Sequence, residues 1–159
     1  MITIRQVTSQ GKLLDAVVNM FNEYAEELNE DISFQHPGEE FNNPLVKYAP
    51  PKGALLIALY NEEPAGCVAL QPLAQEGTCE MKRMYVRPAF RKYSIGRLLA
   101  NAILDEALSL GYYKMVLDTL QKLQPAIKLY RSLGFKDALP YYNNPLKDVV
   151  FMEKQLAAL

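Results

Sequence analysis

The chain has 159 residues, half of them hydrophobic, with 17 Lys/Arg against 18 Asp/Glu, one histidine and two cysteines. That length and apolar content suit one domain with a real core, expected to span 1–159, and exclude a disordered chain. A lone His36, and cysteines without CxxC spacing, exclude a zinc site, so no metal is expected; no apolar run is long enough to span a membrane.

Cys67 and Cys79 read as reduced, buried residues of a cytoplasmic protein. The opening "MITIRQV" lacks the basic-then-apolar form of a signal peptide. Charge is unevenly spread: residues 1–79 hold 4 Lys/Arg and 11 Asp/Glu, and residues 80–137 hold 11 and 5. A basic second half attracts anions. Its cations lie on several elements and form no single stripe, which fits a phosphorylated small molecule better than nucleic acid.

"MITIRQV" alternates and predicts a strand. Leu13, Leu14, Val17, Met20/Phe21, Tyr24 and Leu28 then follow helical spacing, with Glu23, Glu26, Glu27 and Glu30 opposite, expected as a solvated face. Residues 31–53 are punctuated by "HPG", "NNP" and "APPKG", and predict a long irregular segment holding a short helix near 39–47. "ALLIALY", "NEEP" and "AGCVALQPL" predict a hairpin; after "AQEGT", "CEMKRMYV" is a third strand. Ile95, Leu98, Leu99, Ala102, Ile103 and Leu110 trace a helix over 94–110, stopped by Gly111. "YYKMVLDT" is a strand, "QPAIKLYRSLG" a helix with Pro125 in its first turn, and "FKDA" and "VVFMEKQL" the last strands. Meander strands followed by a strand–helix–strand–helix–strand unit predict an α/β (α+β) fold, a mixed sheet with helices on both faces.

Two stretches carry the functional reading. Arg91-Lys92-Tyr93-Ser94-Ile95-Gly96 lies between "MKRMYVRP" and an amphipathic helix. It resembles the Q/R-x-x-G-x-G/A motif of the GNAT-superfamily N-acetyltransferases. "AIKLYRSLGF", residues 126–135, is similar to the family's late A-x-x-L-Y-x-x-x-G-F signature. Both occur in order, and the resemblance covers nearly all of the chain. It implies a mostly antiparallel central sheet of six to seven strands, and acetyl-CoA as co-substrate.

A helix N-terminus presents free N–H groups and the positive end of its dipole, which suits a pyrophosphate. By the resemblance, the N–H groups of Lys92, Tyr93, Ser94, Ile95, Gly96 and Arg97 hold it. Gly96 permits close approach, Ser94 replaces the usual first glycine with a hydroxyl donor, and Arg91, Lys92 and Arg97 add charge. The resemblance also implies that the strand end Met84, Tyr85 and Val86 splays from the next strand near Leu117. Its free backbone groups then pair with the pantetheine arm and polarise the thioester carbonyl.

Tyr130 occupies the family's late-helix tyrosine position, implying a proton donor to the departing thiolate. Its alternative is a core tyrosine, since Ile127 and Leu133 share its helical face. Glu80 is the best base: alternation puts it on one side with Lys82, Met84 and Val86. A Glu80–Lys82 pair, or a relay of water and backbone with no base, are the alternatives, and Asp118 is a weaker candidate. Leu123 stands where many members carry Asn, which removes any cofactor contact from that side chain.

The acceptor pocket is expected to be walled by Phe34, Gln35, His36, Tyr141, Tyr142 and Asn143, although Asn143-Asn144-Pro145 also reads as a plain turn. Asp31, Glu39 and Glu40 would suit a cationic amine. The leading function is acetyl transfer to a primary amine of a small molecule, the expected partner, with no nucleic acid or membrane involved. A protein or peptide acceptor and a non-catalytic acyl-CoA-binding domain are the alternatives. The oligomeric state stays open, a homodimer included.

Overall fold

In the computed structural model, residues 1–157 are described. The expected alternation and periodicity become β1 (Ile2–Gln6), α1 (Lys12–Leu28), α2 (Pro37–Asn42), α3 (Leu45–Tyr48), β2 (Ala54–Tyr60), β3 (Glu63–Pro72) and β4 (Thr78–Val86). These are followed by α4 (Ile95–Ser109), β5 (Lys114–Leu120), α5 (Gln124–Ser132), β6 (Lys136–Asp137) and β7 (Val149–Gln155). The seven strands form one sheet in the order β1-β2-β3-β4-β5-β7-β6. Every pairing is antiparallel except β4 with β5.

Helices cover both faces, as the sequence predicts. On one face α1 buries Leu14, Val17, Met20 and Phe21 against Leu55, Ile57, Cys67 and Ala69 of the sheet. On the other, Ile95, Leu99 and Ile103 of α4, with Tyr130 of α5, pack on Leu56, Val68, Leu70 and Met115. Both thiols are free and buried, as expected, and burial pushes each up to about 12.

The acidic side of α1 differs from the solvated face expected of it. Glu23 accepts from Arg87 at 2.9 Å and Glu27 from Arg91 at 2.7 Å, while Glu30 accepts from Lys122 at 2.8 Å. Much of the charge asymmetry between the two halves of the chain is therefore met internally. Such exposed pairs contribute at most about 1 kcal/mol each, so their effect is mainly to orient α1 across the ends of β4 and β5.

Candidate active site

Strands β4 and β5 pair only from Thr78↔Lys114 to Glu80↔Val116. Beyond that, β4 pairs with β3 alone and β5 with β7 alone. The two strands diverge, and their facing backbone edges lose their partners. The splay expected near Met84 and Leu117 is present and opens earlier, straight after Glu80. A groove of about 80 Å³ fills the fork, lined by Met81–Met84, Leu117–Leu120, Tyr24, Ala126 and Tyr130 among others.

A bulge sharpens the fork. Cys67 pairs with Tyr85 but Ala69 with Lys82, so two β4 residues, Arg83 and Met84, oppose Val68. Arg83 takes a left-handed φ of 58°, a conformation that costs a side-chain-bearing residue about 1–2 kcal/mol. What holds it is a buried ion pair. Arg83 Nε donates to Glu40 Oε2 at 2.7 Å and Nη2 to Oε1 at 3.0 Å, and Tyr48 donates its hydroxyl to the same carboxylate at 2.7 Å. The extra residue also reverses the alternation expected for β4. Glu80 and Lys82 do share the α1 side with Tyr85, but Met84 and Val86 are turned to the α4 side.

Beside the groove is a second pocket of about 500 Å³. Phe34, Gln35, Tyr141, Tyr142 and Asn143 all line it, with Glu80, Lys82, Lys47 and Gln71. The two cavities share Gln35 and Lys82. Residues far apart in sequence are thus brought to one place: Tyr141 donates its hydroxyl to Glu80, and Gln71 donates to the other Glu80 oxygen at 2.8 Å. Tyr142 and Asn144 donate to Asp118. Phe34 stacks near Tyr142, with ring centroids 6.5 Å apart. Asn144 also turns the loop, its side chain accepting from the Leu146 N–H, so the same segment forms a turn and lines the two cavities, Asn144 the groove and Asn143 the larger pocket.

The acidic residues expected to draw a cationic amine are not in this pocket. Glu40 is fully buried and spent on Arg83 and Tyr48. Asp31 is exposed and accepts from the Ser33 N–H, and Glu39 and His36 are exposed and line neither cavity. The sequence marks neither Gln71 nor Lys47, and marks Lys82 only as a neighbour of Glu80 and Tyr24 only as a residue of the α1 face. The signal for two of them was available: Lys82 lies two residues from Glu80 on an alternating strand, and Gln71 is the cross-strand partner of Glu80.

The loop into α4 is a 3-10 turn over Pro88–Tyr93, after which Ser94 adopts φ 59° and ψ 27°. Its hydroxyl makes no capping bond to the helix, which leaves the hydroxyl and the first-turn N–H groups free for a ligand. Gly96 is half-buried, and a Cβ there would meet Leu129 at 3.5 Å and Val86 at 3.9 Å, ordinary contacts. The fold itself therefore does not require glycine. Arg91 departs from its expected role of adding charge. Its Nε donates to the Val86 carbonyl at 2.8 Å and its Nη2 to Glu27, so it ties the loop to β4 and α1. Lys92 lies over the Tyr93 ring and Arg97 donates to Ser132. These two remain the cations without a carboxylate partner in the loop, among the described residues.

Tyr130 belongs both to the core and to the groove wall. It packs edge-on against Phe135 in the core, yet it also lines the groove. Among the described residues its hydroxyl has no hydrogen-bond partner. Burial first, then the nearby Tyr24 and Asp118, holds the phenol above its ordinary value. Leu123 packs against Leu28, Ile32 and Leu120 at the end of the groove.

A seven-stranded sheet forked between β4 and β5, with a helix N-terminus at the mouth of the fork, is the arrangement that the acetyltransferase resemblance implies. The chain belongs to the Acetyltransferase (GNAT) family, whose sequence profile matches residues 14–135. It is 45% identical over 145 residues to an uncharacterised N-acetyltransferase of Schizosaccharomyces pombe, covering 91% of this chain and 89% of that protein. It is 34% identical over 154 residues to a protein named IAA acetyltransferase of Azospirillum brasilense, covering 94% and 97%. An acetyltransferase structure from Streptococcus agalactiae superposes with a TM-score of 0.78 at 23% identity, over 97% and 98% of the two chains. A Salmonella typhimurium structure containing acetyl-CoA gives 0.72 at 22%, over 100% and 96%. At these identities the structural likeness speaks for the fold. The protein is a GNAT N-acetyltransferase.

Proposed function

We propose that the enzyme transfers the acetyl group of acetyl-CoA to a primary amine of a small molecule seated in the 500 Å³ pocket. The fork between β4 and β5 carries this reading, because it leaves strand edges free to pair with an extended arm and leads from the α4 N-terminus to Glu80. The chain's residues fit the donor. Free N–H groups, the Ser94 hydroxyl, Lys92 and Arg97 suit a pyrophosphate, and Gly96 leaves room for it. The family assignment, and a fold neighbour solved with acetyl-CoA, support the same donor.

The thioester supplies the acetyl group, with a new C–N bond formed as the C–S bond breaks. Glu80 takes the proton lost by the amine. A carboxylate has about four acceptor positions, and Tyr141 and Gln71 occupy two of them while fixing its orientation. Tyr130 gives a proton to the departing thiolate. Glu80→Gln is therefore expected to lower kcat/KM by roughly 10²-fold and to alter the pH–rate profile. An unchanged profile would retire the base.

Acetyl-CoA and desulfo-CoA should both raise the melting temperature; no shift with either overturns the donor assignment. Gly96→Ala separates binding from folding. The Cβ fits the fold and removes a helical glycine, so stability should rise by about 0.5–1 kcal/mol. CoA affinity should fall roughly tenfold, equivalent to about 1.4 kcal/mol. Unchanged affinity in calorimetry would count against the phosphate cradle.

A further inference from the structure

We propose that the acceptor is an amine that also carries an anionic group, a carboxylate in the plainest case, and that Lys82 binds this group. The inference rests on the 500 Å³ pocket being the acceptor site.

The ionisable side chains lining that pocket, tyrosines aside, are Lys47, Glu80 and Lys82, two cations against one anion. Lys47 already pairs with Glu40 at 3.3 Å. Glu80 is fixed by Tyr141 and Gln71. Lys82 is left with one neutral partner, the Gln35 side-chain oxygen at 3.2 Å, and Arg83 Nη1 donates to that same oxygen at 2.8 Å.

Three carboxylates act on Lys82 through space: Glu80 from its own strand, Asp118 from β5 and Glu40 from α2, while Arg83 opposes them. Asp118 is bonded by Tyr142 and Asn144, and Glu40 by Arg83 and Tyr48. None forms an ion pair with Lys82 among the described residues. Burial, the largest effect, lowers its pKa. A withdrawn ammonium with one of three N–H donors used, and by a neutral oxygen, has no carboxylate in direct contact among the described residues.

A carboxylate on the substrate supplies that contact and accepts the unused donors. The spacing suits a compact molecule. Lys82 and Glu80 stand two residues apart on one strand face, about 6.4–6.8 Å along the backbone. An amine directed at Glu80 and an anion at Lys82 therefore lie a few bonds apart, as in an amino acid. A polyamine would set a second cation against Lys82.

The test is steady-state thiol release from acetyl-CoA with L-phenylalanine, L-aspartate, L-phenylalaninamide and spermidine. At least one of the two amino acids should exceed the amide and spermidine tenfold or more in kcat/KM. Lys82→Gln should raise KM for that amino acid at least tenfold, raise KM for acetyl-CoA by a much smaller factor, and remove the preference over the amide. Lys82→Arg should restore part of the loss. Equal or better turnover of the amide or spermidine overturns the inference and leaves the acetyltransferase reading standing. So does an equal effect of Lys82→Gln on all four amines. Release with none of the four, while acetyl-CoA still raises the melting temperature, also counts against this inference alone. No release and no rise in melting temperature overturns both.

Discussion

Glu40→Gln is expected to destabilise the protein by about 3–5 kcal/mol, the loss that follows when one partner of a buried ion pair is removed. Arg83 and Glu40 have side chains only 1% and 0% exposed. Without the carboxylate, the guanidinium keeps its cation–π contacts with Tyr24 and Phe41, at 5.7 and 5.3 Å, but loses its charge partner. Domains of this size have about 5–15 kcal/mol in hand, so the variant should unfold at much lower urea. Burial alone would raise the Glu40 pKa, but the Arg83 hydrogen bonds and charge outweigh it and the net direction is down.

A carboxyl held below its unfolded value stabilises the fold above the unfolded pKa, and that contribution is lost as pH falls through the folded pKa. The stability difference between wild type and Glu40→Gln should therefore be constant near neutrality and shrink below about pH 4. A loss under 1 kcal/mol at pH 7 would show that the pair does not hold the bulge. Replacing both partners by apolar residues should lose less than either single change. The pair also ties α2 to the bulged β4, so KM for the acceptor should rise in the single variant.

That pair marks the limit of what the sequence discloses. Alternation and helical spacing locate β2, β3, α4 and α5 because each depends on neighbouring residues. The two motifs mark the loop before α4 and the Tyr130 helix because short local spacings carry them. The bulge at Arg83 has no local mark: no glycine occupies the left-handed position, and the anchor, Glu40, lies 43 residues away. Reading β4 as an unbroken strand consequently placed Met84 and Val86 on the wrong face. The partners of Glu80 and Asp118 come from a loop 61 and 24 residues distant. Tyr141 and Tyr142 were legible as wall residues, but not as groups that orient two carboxylates. Arg91 shows the reverse case. Its basic character suggested phosphate, and only the fold shows Glu27 and the Val86 carbonyl already using it.

Tyr130→Phe is expected to lower kcat by roughly 10²–10⁴-fold, the range for loss of a positioned general acid. CoA affinity should stay within twofold. The fold should barely respond, because the hydroxyl has no protein partner among the described residues while the ring keeps its packing on Phe135. The direction of the pKa shift adds a second readout. Burial, Tyr24 and Asp118 raise the phenol above its ordinary value of about 10, so Tyr130 keeps its proton throughout pH 6–10. The deficit of the variant should accordingly be the same factor across that range, with no alkaline limb removed. This separates Tyr130 from Glu80, whose replacement should alter the profile. A variant that turns over within threefold of wild type would return Tyr130 to the core as a packing residue. The thiolate would then take its proton from solvent.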